Sequence, residues 1–214
     1  MSNEFGYIPE SPEQSFGNNK GIFTPTDIYD LTRADKFTQY GQLKLIETQT
    51  VSSNVANLQF TSIQESTYDV HLLTIAGMES DADNKAVEVT VSNDGGSSYE
   101  TSNYDWAWMY QKSNGTFTEK NNTSGGDFTI VQNVGNSTGE SFSAYVYLYN
   151  LGDSAKYSFT TWQGTGITQD PDYISTFGSG VYHQAETINA LQLKFSSDNI
   201  ASGVFSLYGI KEYS

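Results

Sequence analysis

From Leu43 onward, hydrophobic and polar positions alternate along most of the chain. A period of two is the signature of a strand with one buried face. Val87-Glu88-Val89-Thr90-Val91 and Phe142-Ser143-Ala144-Tyr145-Val146-Tyr147-Leu148-Tyr149 carry it most clearly. In the second run Phe142, Ala144, Val146 and Leu148 share one face, and Tyr145, Tyr147 and Tyr149 share the other. A tyrosine face suits either a second core layer or a wet interface, because the ring is apolar and the hydroxyl is not. The run from Ile200 to Lys211 alternates in the same way, with Gly203 opening it and Gly209 interrupting it. A glycine inside a strand marks a bulge or a close approach by another group.

Strands are predicted at 43–51, 56–63, 68–77, 85–93, 104–112, 127–132, 140–150, 156–163, 174–183, 187–196 and 203–211. Asn93-Asp94-Gly95-Gly96-Ser97-Ser98 has the residues of a hairpin turn. Asn121-Asn122-Thr123-Ser124-Gly125-Gly126 reads as a polar loop. Many short strands with no helical run between them predict an all-β fold. The expected form is an antiparallel β-sandwich of jelly-roll type over residues 41–214.

Residues 1–23 have no regular period, yet contain Phe5, Tyr7, Ile8, Phe16, Ile22 and Phe23. Large apolar groups in a non-periodic segment predict an extended N-terminal arm that buries them on a partner. A short helix follows. Thr24 is the expected N-cap, Pro25 fits the first helical position, and Asp27 suits the positive end of the dipole. The helix is expected to end near Lys36, so residues 1–40 form a docking segment.

Composition narrows the function. The 214 residues hold 10 Lys and Arg against 25 Asp and Glu, a net charge of -15. A phosphate-backbone binder needs a basic footprint, so nucleic acid is not an expected partner. An anionic membrane surface is disfavoured for the same reason. No stretch is long and apolar enough to predict a membrane span, and the first residues do not resemble a signal peptide. There is no Cys. Disulfides and thiolate metal sites are therefore excluded, and synthesis in a cytoplasm is the simpler reading.

Candidate chemistry is sparse. His71 and His183 are the only histidines, and they are not at metal-binding spacing. No nucleophile elbow, P-loop, dinucleotide fingerprint or His-Glu-x-x-His motif is present. Asp81 with Asp83, and Asp170 with Asp172, offer closely spaced oxygens but read as solvated acidic loops. No metal and no cofactor is predicted. Trp106 and Trp108 flank Ala107 beside Asp105 and are candidates for stacking on a glycan; the same stripe also fits packing in the core. A hydrolase would need two facing carboxylates, a distance the sequence does not give.

Three segments together resemble virion structural proteins of tailed phages, especially those of marine bacteria. The first is Phe5-Gly6-Tyr7-Ile8-Pro9-Glu10-Ser11-Pro12 with Ser15-Phe16-Gly17-Asn18-Asn19-Lys20-Gly21-Ile22-Phe23, similar to an opening of such proteins. The second is Val91 to Tyr99, followed by Tyr104-Asp105-Trp106-Ala107-Trp108, similar to their strand–hairpin–strand unit. The third is Gly178-Ser179-Gly180-Val181-Tyr182 leading through Ile188 to Ser202–Lys211, similar to their closing strands. Residues 113–140 match no part of that pattern. The resemblance implies a lectin-like jelly roll used as a multi-copy surface module in the virion, not as an enzyme. Its expected roles are capsid decoration or cement, or a neck, tail or fibre appendage. Its expected partners are other virion proteins. Attachment through several linked weak contacts separately predicts a homotrimer, and the alternative reading is a carbohydrate-binding module for host adhesion that touches a host surface glycan, with a glycan hydrolase behind it. The resemblance carries over no binding residues.

Overall fold

The computed structural model describes residues 23–34 and 42–211. The chain divides between Gln42 and Leu43, and the two parts are described separately. In the first, α1 (Pro25–Arg33) starts as its sequence predicts. Asp27 N donates to Thr24 Oγ1 at 3.2 Å, and Thr24 N donates to Asp27 Oδ2 at 2.8 Å. These two bonds form a capping box that satisfies otherwise orphaned helix donors. The Thr24 hydrogen bonds hold the Asp27 carboxyl below its usual range. The helix stops at Arg33, short of the expected Lys36, and buries none of its residues.

The second part is all-β, as the alternation predicts. Its strands are β1 (Leu43–Val51), β2 (Leu58–Phe60), β3 (Val70–Ser80), β4 (Lys85–Ser92), β5 (Tyr104–Lys112) and β6 (Phe117–Gly125). They continue with β7 (Phe128–Val134), β8 (Phe142–Tyr149), β9 (Tyr157–Ile167), β10 (Tyr173–Ala185), β11 (Ala190–Phe195) and β12 (Ile200–Ile210). They form two antiparallel sheets. The larger has eight strands in the order β1-β12-β3-β8-β9-β10-β5-β6, and the smaller has four in the order β2-β11-β4-β7. β7 packs over β5, β9 and β10, so the two sheets lie face to face as a sandwich.

The core fills the space between the sheets. Val87, Val89, Val91, Phe128, Ile130, Leu191, Leu193 and Phe195 come from the smaller sheet; Leu73, Ile75, Trp108, Phe142, Val146, Leu148, Trp162, Phe205 and Leu207 come from the larger. Each fully buried side chain of this size contributes roughly 1.5–3 kcal/mol. Two hydrogen bonds cross the core. Trp162 Nε1 donates to the Ile130 carbonyl at 3.1 Å, and Val91 N donates to the Tyr104 hydroxyl at 2.9 Å.

Two expectations are corrected. Asn121–Gly125, expected in a loop, belong to strand β6, which pairs with β5 at the edge of the larger sheet. Asn93–Ser98 is a turn but not a hairpin: β4 lies in the smaller sheet and β5 in the larger, so the segment carries the chain between layers. Its turn chemistry is as expected. The Asp94 carboxylate accepts from Ser98 N at 2.9 Å and from Ser98 Oγ at 2.6 Å, which holds its pKa down to about 2. Gly209 is a place of close approach, since a Cβ there would run into the Tyr68 ring.

Candidate functional site

The outer face of the larger sheet is where side chains depart from the simple rule of apolar inside and polar outside. On β9 the buried positions are Ser158, Thr160, Trp162 and Gly164, while Tyr157 and Phe159 are exposed at 45% and 44%. On β10 the buried positions include Thr176 and Gly180, while Tyr173 and Phe177 are exposed at 46% and 43%. The small inner residues have a packing reason. A Cβ at Gly178 would run into Trp108 and Trp162, and one at Gly180 into Phe128. Large aromatics from neighbouring strands occupy that interior. The outer aromatics have no such reason, because they cover nothing within the sandwich.

Register lays out the face row by row. One row crosses all eight strands as Leu45, Tyr208, Leu72, Tyr147, Thr161, Ser179, Ala107 and Asn121. The next, two residues along, runs Thr48, Ser206, Thr74, Tyr145, Gln163, Phe177, Met109 and Glu119. The only charged side chain in these two rows is Glu119, on the edge strand.

The face has two halves. Over β1, β12, β3 and β8 the first row is apolar and aromatic while the second carries the hydroxyls of Thr48, Ser206 and Thr74; Leu43 and Leu45 are each 51% exposed, and Tyr145, Tyr147 and Tyr149 form a column. Ring centroids in the column are 5.9 Å and 6.4 Å apart. The tyrosine column is thus on the outside, not a second core layer. Tyr145 donates from its hydroxyl to Gln163 Oε1 at 2.6 Å.

Over β9, β10, β5 and β6 the face holds a shallow depression of about 510 Å³. Its cause is local. Thr161, Ser179 and Ala107 are small and adjacent across three strands. The row on one side carries Phe159, Val181 and Asp105, and the row on the other carries Gln163, Phe177 and Met109. Asn121 closes the end at β6. Asp105 is held in place from both sides: its Oδ1 accepts from Ser124 N at 2.6 Å, and its Oδ2 pairs with His183 Nδ1 at 3.2 Å. The His183 ring lies 5.3 Å from the Tyr157 ring. No Lys or Arg lines the depression, and Asp105 is its one carboxylate. An Asp–His pair is part of an acyl-transfer triad. Among the described residues, however, the side chains found against His183 are Asp105 and Tyr157, the latter through its ring, with no Ser or Thr hydroxyl among them.

The sites expected from sequence are placed as follows. Trp106 and Trp108 are core residues, 7% and 2% exposed, on the inner face of β5. They offer no ring to a glycan, and the core-packing reading of the stripe is the correct one. Asp81 is occupied within the protein: its carboxylate accepts from Asn54 Nδ2 at 2.8 Å, Asn199 N at 2.8 Å and Asn199 Nδ2 at 2.7 Å. Asp172 pairs with Lys112 at 3.4 Å and accepts from Asn114 Nδ2 at 2.8 Å. Among the described residues no three His, Asp or Glu gather as metal ligands. His71 is buried, with Nε2 at 2.8 Å from the Ile63 carbonyl; burial lowers its pKa. Of the docking residues, Phe23 precedes the cap of α1 and is 37% exposed. Phe5, Tyr7, Ile8, Phe16 and Ile22 lie outside the described residues.

Phe159, Thr161, Ser179 and Asn121 were not singled out by the sequence. The signal was present in Tyr157-Ser158-Phe159-Thr160-Thr161-Trp162, where aromatics occur at both parities and cannot all face inward. Among the described residues no helix is long and apolar enough to cross a membrane. Compared with known proteins, the chain matches no family model, no curated protein and no solved structure.

Proposed function

We propose that the chain is a virion structural protein: a multi-copy, non-enzymatic surface module that docks through residues 1–40. The single observation behind this reading is the mixed pattern of β9 and β10. Ser158, Thr160, Gly164, Thr176 and Gly180 share the inner face with Trp162, Ile174 and Tyr182, while Tyr157, Phe159, Tyr173 and Phe177 face out. A protein that needs only to fold has no use for that arrangement, whereas one that makes surface contacts does. The phage resemblance supplies the setting, and 10 Lys and Arg against 25 Asp and Glu fit partners that are protein or glycan. The apolar half of the face, with its tyrosine column, supports a homotrimer, since several linked weak contacts give firm attachment.

A hydrolase reading has little support, because the depression holds Asp105 without a second carboxylate facing it. The test is direct. Purified particles, probed by mass spectrometry and by antibody labelling in the electron microscope, should carry the protein in many copies on their surface. Light scattering on the isolated chain should give three times its 23.6 kDa mass. Particles that lack the protein overturn the virion reading; a monomeric mass at high micromolar concentration overturns the trimer.

A further inference from the structure

We infer that the depression over β9, β10, β5 and β6 binds a neutral sugar ring of a glycan chain. The inference goes beyond the virion reading and stands on the geometry of this half of the sheet. A pyranose has two kinds of surface: a face of C–H groups and an edge of hydroxyls. The depression offers both complements. Phe159, 44% exposed, presents a ring beside the floor, and an aromatic face is the usual partner for polarised C–H groups. Thr161 and Ser179 supply hydroxyls, the Asn121 amide supplies a donor and an acceptor, and Asp105 supplies carboxylate acceptors. A volume of about 510 Å³ falls in the range of small-molecule sites. The openness of the site suits an internal ring of a chain, which must enter at one end and leave at the other.

Asp105 is already oriented. The Ser124 amide and the His183 imidazole each take one position on its carboxylate and leave the remaining lone pairs for a ligand. Pre-set acceptors of this kind lower the ordering cost of binding. Charge then selects among sugars. With a carboxylate in the site, no cation lining it, and a net charge of -15, a uronate or sulfated sugar meets repulsion without a partner. A neutral hexose or N-acetylhexosamine does not. A second copy of the chain is a poorer occupant. Its apolar contacts belong to the other half of the face, around Leu45 and Tyr147, whereas the floor here is hydroxyl-bearing and recessed.

The full chain, fluorescently labelled, is applied to an array of neutral hexose, N-acetylhexosamine, uronate and sulfated oligosaccharides. Binding to at least one neutral class and to no anionic one is expected. Titration calorimetry with the neutral oligosaccharide then compares variants. Phe159→Ala removes the platform, and Ser179→Trp fills the floor; each should weaken binding at least tenfold. Leu45→Ser, on the other half, should leave binding unchanged. All three sites are exposed, so melting temperatures should stay close to that of the parent chain, which separates lost binding from lost fold. The inference is overturned if anionic glycans bind as well as neutral ones, if no neutral glycan binds, or if Phe159→Ala and Ser179→Trp bind like the parent. None of these results bears on incorporation into particles, so the virion reading stands or fails by its own test.

Discussion

The two sheets of the sandwich treat their outer faces differently. The smaller sheet follows the simple rule. Val87, Val89, Val91, Leu191 and Leu193 face in, while Glu88, Gln192 and Lys194 face out with Thr90, itself buried, among them, and these four satisfy one another. Lys194 Nζ lies 3.1 Å from Glu88 Oε2, and Thr90 Oγ1 donates to Gln192 Oε1 at 3.4 Å. The larger sheet puts tyrosine, phenylalanine and leucine outside and, on β9 and β10, seats serine, threonine and glycine inside beside Trp162, Ile174 and Tyr182. Solvation alone accounts for the first arrangement. It does not account for the second, which leaves buried hydroxyls on Ser158 and Thr176 without a partner and exposes rings to water. Where local pattern and fold disagree, function is the usual reason. Under the proposed function, one outer face serves stability and the other contact.

The largest expected effect sharpens that division from the side of the smaller sheet. Burial and the neighbouring Asp127 raise the pKa of Glu88, while Lys194 opposes the rise. Asp127 is likewise raised by burial, and Lys194 again opposes the rise. Lys194→Met therefore leaves two half-buried carboxylates without their cation. The expected loss is about 2 kcal/mol at pH 7, between that of an exposed and a buried pair. It should shrink near pH 4, where both carboxylates take up protons. Urea unfolding at the two pH values measures it. An equal loss at both would mean that the lysine acts by packing rather than by charge.

Acid should act on the two sheets in opposite directions. His71, in β3 of the larger sheet, is buried, and its Nδ1 has no partner. Its pKa is lowered chiefly by burial, so below the ordinary value of about 6.5 the unfolded chain binds a proton that the folded chain does not. Stability therefore rises with pH through that window and falls as the pH drops below it, by at most about 1.4 kcal/mol per unit. Glu88 and Asp127 have raised values, so the folded chain takes up their protons first and gains stability at lower pH. Between pH 7 and 5.5 the parent chain should lose more stability than His71→Gln. Matching losses in the two chains would show that the imidazole is not the acid-sensitive group.

How much of this was legible in the sequence depended on what each signal encodes. Alternation gave the strands, because parity follows from the pleat. It did not say which parity faces inward. In Tyr104-Asp105-Trp106-Ala107-Trp108 the tryptophans were candidates for a surface, yet they are core. In β9 and β10 aromatics of both parities compete, and the interior admits only Trp162 from β9 because Trp108 and Phe128 already fill the space. That outcome depends on strands distant in sequence. β6 was missed because Asn121-Asn122-Thr123-Ser124-Gly125 has the composition of a loop and, as an edge strand, buries little. The turn at Asn93–Ser98 was recognised by its chemistry, but its partner strands belong to different sheets. The N-cap of α1 was legible from Thr24 and Pro25, while the bond by which Asp27 closes the capping box was not read.

A charge placed on the contact face should cost little stability and much association. Tyr147 is half-buried between the rings of Tyr145 and Tyr149. Tyr147→Lys removes two ring contacts but keeps an aliphatic stem over the sheet, so the loss of stability should stay under about 1 kcal/mol. The same change puts a hydrated ammonium in the middle of the apolar half. If that half joins the copies, light scattering should fall from the trimeric to the monomeric mass. A trimer that survives the substitution would move the interface away from the tyrosine column and leave the larger sheet with the glycan depression alone.

The smallest expected effect comes from removing one oxygen. Tyr145→Phe deletes the hydroxyl that donates to Gln163 Oε1 at 2.6 Å. Tyr145 is 44% exposed, so water takes over the freed amide oxygen, and the expected change in stability is below about 0.5 kcal/mol. The ring stays in place against Tyr147, so a contact made by the aromatic column should survive as well. The outcome then separates two ways in which the column works. If the rings matter through apolar area, Tyr145→Phe assembles like the parent chain while Tyr145→Ser does not. If the Tyr145–Gln163 bond sets the geometry of a wet interface, both variants lose assembly to the same degree. Their concentration-dependent masses, measured side by side at one pH and salt concentration, decide between the two. Equal loss would also place Gln163 in the contact, extending it from β8 onto β9 toward the depression.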